Sequence, residues 1–167
     1  MKNFYSKVVI CICMFFSSAG CTTEYPCDDV QIQPVFVHYT PAETETFILR
    51  KYTAGENFRT LLDTFVVRNG YNAWYNVAHD TTSVYITDGV HGIKAGYDWQ
   101  VFIPSRLRTL LITNINSENK TGKRGKGIFS MDPGPNCVNK IFSAQVNTQT
   151  INFPIGDTAR PLIYINY

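Results

Sequence analysis

The feature that most constrains this chain is the length of its apolar runs. Beyond residue 30 they come in pieces of fewer than ten residues, and Gly, Pro, Asn, Asp or Ser punctuate the stretches between them. Pieces of that size suit strands rather than helices. Their make-up agrees, because β-branched and aromatic side chains fit a pleated, half-buried surface, and the chain holds ten Tyr and eleven Phe. The runs cover residues 35–39, 46–52, 61–67, 72–77, 83–87, 98–103, 110–115, 140–146, 150–153 and 162–167. Asn69-Gly70, Asp88-Gly89 and His91-Gly92 supply residues that tolerate positive φ where the chain must turn. Trp99, Val101 and Ile103 recur at every second position of residues 98–103, which places them on one inward face. One segment reads two ways. Phe58, Leu61, Leu62 and Phe65 have helical spacing, whereas Thr64, Val66 and Val67 are β-branched. A turn or irregular start leading into a strand reconciles the two.

Short strands at regular spacing, with no long helix, predict an all-β domain over residues 31–167. The expected form is a single immunoglobulin-like β-sandwich of about eight short strands, with a small β-barrel as the alternative. Residues 117–127 hold three glycines and four basic residues and read as a loop between strands.

The N-terminus is an address. Lys2 and Lys7 precede the apolar run Val8–Phe16, and the small residues Ser17-Ser18-Ala19-Gly20 follow. That order is the one of a secretory signal, and nine apolar residues are too few to span a bilayer. Ser18-Ala19-Gly20-Cys21 resembles the lipobox of bacterial lipoproteins, with Ser18 in place of the usual Leu. The chain therefore resembles the small lipoproteins of Gram-negative envelopes. The resemblance implies a signal peptide over residues 1–20, acylation of Cys21, and a tether over residues 21–30. It also implies retention on a membrane. Thr rather than Asp at position 22 implies the outer one in the familiar sorting pattern. The alternative is cleavage after Ala19 and a soluble secreted or periplasmic protein.

Cysteine parity bears on that choice. Cys11 and Cys13 leave with the signal peptide, and Cys21, Cys27 and Cys137 remain. An odd thiol is a hazard in an oxidising compartment. Acylation uses Cys21 and leaves Cys27 and Cys137 to pair.

Charge narrows the partners. Without Lys2 and Lys7 the chain carries thirteen basic and thirteen acidic residues. That balance argues against a nucleic-acid partner, which needs a basic excess. The charge is divided, however. Residues 21–117 hold seven basic and ten acidic residues, and residues 118–167 hold six and three. Lys120, Lys123, Arg124 and Lys126 account for most of that excess, and they mark an attraction for anionic envelope glycans, headgroups or an acidic protein.

No catalytic or cofactor motif stands out. His38, His79 and His91 lack metal-ligand spacing, and no nucleophile elbow or phosphate loop occurs. Asp28-Asp29 and Glu43 with Glu45 read as surface carboxylates, and His38 as a strand residue. Tyr71, Trp74 and Tyr75, interleaved with Asn, are candidates to stack on sugar rings, although the same pattern suits rings packed in a core. These readings favour a non-enzymatic binding or structural module. A glycan- or peptidoglycan-directed hydrolase is the alternative, and it requires His79, Asp80, Asp88 or His91 to meet in a cleft.

Overall fold

A computed structural model describes residues 22–68, 73–86, 92–125, 137–154 and 160–166. In chain order the strands are β1 Thr22–Pro26, β2 Asp28–Asp29, β3 Gln33–Val37, β4 Thr46–Thr53, β5 Leu61–Arg68, β6 Ala73–Asn76 and β7 Thr81–Val84. They continue as β8 Tyr97–Ile103, β9 Arg108–Ser117, β10 Thr121–Gly125, β11 Val138–Asn139, β12 Ile141–Val146, β13 Gln149–Asn152 and β14 Leu162–Asn166. A 3-10 turn, Pro104–Arg106, separates β8 from β9.

The chain divides into two compact units. The larger, residues 29–118 and 139–167, is an all-β sandwich. One sheet has six strands in the order β13-β12-β9-β8-β4-β5, and the other has four in the order β14-β3-β7-β6. Both sheets are open among the described residues, so the barrel alternative is not adopted. The two sheets hold ten strands, one at each of the ten apolar runs, against the eight or so expected. β14 runs parallel to β3, whereas the other ladders of the sandwich are antiparallel.

Strand periodicity builds the core. Leu49, Val101 and Leu110 are register partners across β4, β8 and β9. Trp99, Ile112 and Val146 form the next row across β8, β9 and β12. Phe36, Val84, Ile163 and Ile165 of the four-stranded sheet belong to the same buried cluster. Each such side chain gains roughly 1.5–3 kcal/mol by leaving water. The Trp99 indole is 1% exposed and donates its N–H to the Lys94 carbonyl at 2.9 Å, which removes the polar cost of burying it.

Residues 54–60 form turns and bends, and Leu61–Arg68 is strand throughout. The helical spacing of Phe58, Leu61, Leu62 and Phe65 is therefore not realised. Pairing with β4 over the whole of β5 decides the matter. β5 lies at the edge of its sheet and leaves Leu61, Leu62 and Val66 exposed, while Phe65 and Val67 pack on the core.

The smaller unit, residues 1–28 and 119–138, corrects two expectations. Thr22–Pro26 is a strand rather than a tether, and Thr121–Gly125 is a strand rather than a loop. The two pair antiparallel as β1 and β10, with Glu24 opposite Lys123 and Thr23 opposite Arg124. Tyr25 lies over Gly122, where a Cβ would fall 2.6 Å from the ring. The glycine thus seats an aromatic ring instead of loosening a loop. Cys27 and Cys137 are joined by a disulfide, with Cα atoms 4.9 Å apart. Beside it the Cys27 N–H donates to the Lys120 carbonyl, and the Asp28 N–H donates to the Cys137 carbonyl, each at 3.1 Å.

Candidate functional site

Chain direction gathers one set of loops at one end of the sandwich. β3 and the parallel β14 both run toward it, ending at Val37 and Asn166. The β6–β7 turn lies there because Asn76 and Thr81 are paired, with Thr81 also opposite Val37. The β8–β9 turn lies there because Ile103 is opposite Arg108, and bonds from that turn reach Glu43 and Asn166. Connections that meet at the end of a rigid sheet are where binding groups are usually held.

The first group of side chains is built around Asp80. Its carboxylate takes the Tyr75 hydroxyl at 2.9 Å and lies 3.0 Å from His38 Nδ1. The His38 N–H also donates to the Asp80 carbonyl at 2.9 Å. His38 is an exposed bend residue at φ 61 rather than a strand residue, and Asp80 has φ 47. Asn76 accepts the Ala78 N–H at 3.1 Å, so the whole turn is tied down. Hydrogen bonds from His38 and then from Tyr75 hold the Asp80 carboxyl below its usual range, and the bond to Asp80 pushes the Tyr75 hydroxyl above its own.

A pH dependence follows from the lowered carboxyl. A depressed pKa adds stability above the unfolded value, and that stability is lost as pH falls through the folded value. Carboxyl-carbon NMR should therefore place the Asp80 midpoint below the ordinary value of about 3.9. Tyr75→Phe or His38→Ala should move it back up. An unshifted midpoint in both variants would show that the pair does not act on Asp80.

The second group surrounds an open cavity of about 520 Å³ lined by Tyr39, Ser105, Arg106, Leu107 and Arg108. Pro104 starts the turn, since its fixed φ suits a first helical position and it has no N–H to donate to a neighbouring strand. The turn closes with the Leu107 N–H on the Pro104 carbonyl at 3.2 Å. Leu107 then adopts φ 48 and stays 83% exposed at the rim. Arg106 forms an ion pair with Glu43, and Ser105 donates its hydroxyl to the Glu43 carbonyl at 2.7 Å. Glu43 is itself fixed. It accepts the Thr40 N–H at 2.9 Å and returns its own N–H to the Thr40 hydroxyl at 3.4 Å, a reciprocal pairing of the capping-box kind. The Thr40 N–H, the Thr40 hydroxyl and the Arg106 charge, in that order, hold the Glu43 carboxyl below its usual range. Arg108 donates from Nη1 to the Asn166 carbonyl. Tyr39 is fully buried behind the turn, edge-on to Phe36 at 5.6 Å.

The candidates read from sequence fall in three places. Trp74 and Tyr75 lie on β6 leading into this end. Trp74 is 69% exposed, so it is not a core ring, whereas Tyr75 is held by Asp80. Lys120, Lys123 and Arg124 belong to the smaller unit, the last two on β10. Cys21, Tyr71, Asp88, His91 and Lys126 lie outside the described residues. Among the described residues no three His, Cys, Asp or Glu side chains converge as a metal site would require. No described helix is long and apolar enough to cross a membrane.

No sequence pattern marks Arg106 or Arg108, and Glu43, a surface carboxylate by sequence, is held here by Thr40, Ser105 and Arg106. One signal was available in Thr40-Pro41-Ala42-Glu43, which has capping-box spacing with Pro in the first position. No family model, no curated protein and no solved structure matches this chain.

Proposed function

We propose that this chain is an exported envelope lipoprotein, anchored through Cys21, that works as a non-enzymatic binding module. Its binding surface is the loop end of the sandwich. One observation carries the reading: loops from both sheets are locked to one another there by side chains. Asp80 ties His38 to Tyr75, Glu43 ties Thr40 to Ser105 and Arg106, and Arg108 ties the β8–β9 turn to β14. Groups fixed before a ligand arrives lose little freedom on binding, which is how affinity is gained without a large area. The exposed Trp74 and Leu107 supply apolar contact at that end.

Photo-crosslinking residues at positions 74, 79 and 107 should capture envelope components, while one at Glu56, in the β4–β5 turn, should not. Equal capture from all four positions would remove the loop end as the binding surface. The hydrolase alternative draws on the His38–Asp80 pair. Glycan or peptidoglycan cleavage lost in Asp80→Asn would replace the binding reading with it.

The anchor has its own test. Two or more acyl chains give stable membrane residence, whereas a single chain binds only marginally. Cys21→Ala should therefore move the protein from the membrane fraction, with the outer membrane favoured, to the soluble fraction. A wild-type mature protein that begins unacylated at Gly20 would remove the anchor.

A further inference from the structure

We infer that the cavity behind the β8–β9 turn is an anion site that takes a small organic acid, its carboxylate met by Arg108. This inference rests on the binding reading above and gives the chemical class of one ligand. The charges around the cavity do not balance. Arg106 is matched by Glu43. Arg108 bonds to a neutral backbone carbonyl, and among the described residues it meets no carboxylate. A guanidinium carries five N–H donors in a rigid fork that fits a carboxylate. The bond to Asn166 fixes that fork and uses only part of it. Tyr39 is buried behind the turn, so the apolar core backs the cavity on one side, and low-dielectric surroundings strengthen the attraction between an arginine and an anion.

Size and lining select the class of anion. A volume of about 520 Å³ falls within the range of small-molecule sites, about 300–1,000 Å³. An inorganic oxyanion would satisfy Arg108 but make no use of the apolar rim at Leu107. The exposed Leu107 side chain offers contact to a carbon body, and the Ser105 hydroxyl, whose proton goes to the Glu43 carbonyl, can accept a hydrogen bond from a polar substituent on it.

The test uses the full mature chain purified in detergent, with three probes followed by amide NMR. Phenylacetate is the organic acid, phenylacetamide its uncharged analogue, and inorganic phosphate the bare anion. Phenylacetate should give saturable shifts at Tyr39 and through residues 105–108, and added salt should weaken it. Phenylacetamide and phosphate should bind at least about tenfold more weakly, the loss expected when a charge-assisted pair or the packing of the carbon body is removed. Arg108→Gln should weaken phenylacetate by a similar factor. Leu107→Asp adds a negative charge at an exposed position whose positive φ suits Asp, so it should keep the fold and also weaken binding about tenfold. Equal binding of acid and amide, unchanged binding in both variants, or no saturable shift would each overturn the inference. Phosphate binding as tightly as phenylacetate would overturn the organic ligand. If crosslinks from positions 74 and 107 persist while phenylacetate fails, this inference falls and the binding module stands. If the crosslinks also vanish, both fall.

Discussion

Reducing the Cys27–Cys137 disulfide should lower the stability of the protein by up to about 4–5 kcal/mol, the chain-entropy value for so long a loop. The bridge spans 110 residues, so it closes most of the chain into one loop. Its action is chiefly on the unfolded ensemble, which loses the freedom to separate those ends. The urea midpoint should fall on addition of dithiothreitol, and Cys27→Ala with Cys137→Ala should reproduce the fall without reductant. The β1–β10 ladder should respond most locally, because it is a two-stranded sheet and such ribbons are marginal alone. Hydrogen exchange at residues 22–26 should therefore accelerate first. An unchanged midpoint and unchanged exchange would show that the bridge contributes nothing.

Removing Trp99 should have a comparable effect by a different route. Trp99→Ala empties a site that is 1% exposed at the centre of the six-stranded sheet, and large-to-small changes of that kind cost about 3–5 kcal/mol. It also leaves the Lys94 carbonyl without its indole donor. Trp74→Ala should change stability by less than about 0.5 kcal/mol, as surface substitutions do. The chain has only these two tryptophans, so fluorescence reports on both. Iodide should quench Trp74 and spare Trp99. Urea denaturation of the two variants gives the comparison, and equal losses would show that burial does not separate the two rings.

The parts of the fold that the sequence made legible are those where a strand has one face in the core. Trp99, Val101 and Ile103 alternate because they point into the sandwich, and β4, β9, β12 and β14 were recognisable on the same grounds. β5 was ambiguous because an edge strand keeps apolar residues on its open face, which blurs the alternation. β1 and β10 were not legible at all. Glu24, Lys120 and the glycines near them follow no period, and the ladder joins segments about a hundred residues apart in sequence. Pairing of that kind depends on what the partner offers, not on either segment alone. The candidate site divides in the same way. The aromatic segment around Trp74 was visible by composition. Arg106 and Arg108 were not, because a turn arginine acquires meaning only when Glu43 and Asn166 arrive beside it from elsewhere in the chain.

His38, Asp80, Leu107 and Asn147 hold positive φ in turns or bends at the loop end of the sandwich; Asn57 and Phe58 in the β4–β5 turn and Asn114 within β9 hold it too. Asp and Asn tolerate that backbone, but a branched aliphatic residue such as Leu does so only because its surroundings insist. Such a residue persists only where the structure around it over-determines the backbone, and Leu107 stands at the rim of the proposed site. This places heat resistance and recognition in opposition. A directed-evolution campaign selecting only for survival of heating would be drawn to glycine at position 107, relaxing the backbone. The same exchange would strip the apolar rim from the arginine cavity. Robust descendants of this chain would then be blunt ones, and the residue that looks most like a flaw in the fold would be the first sacrificed.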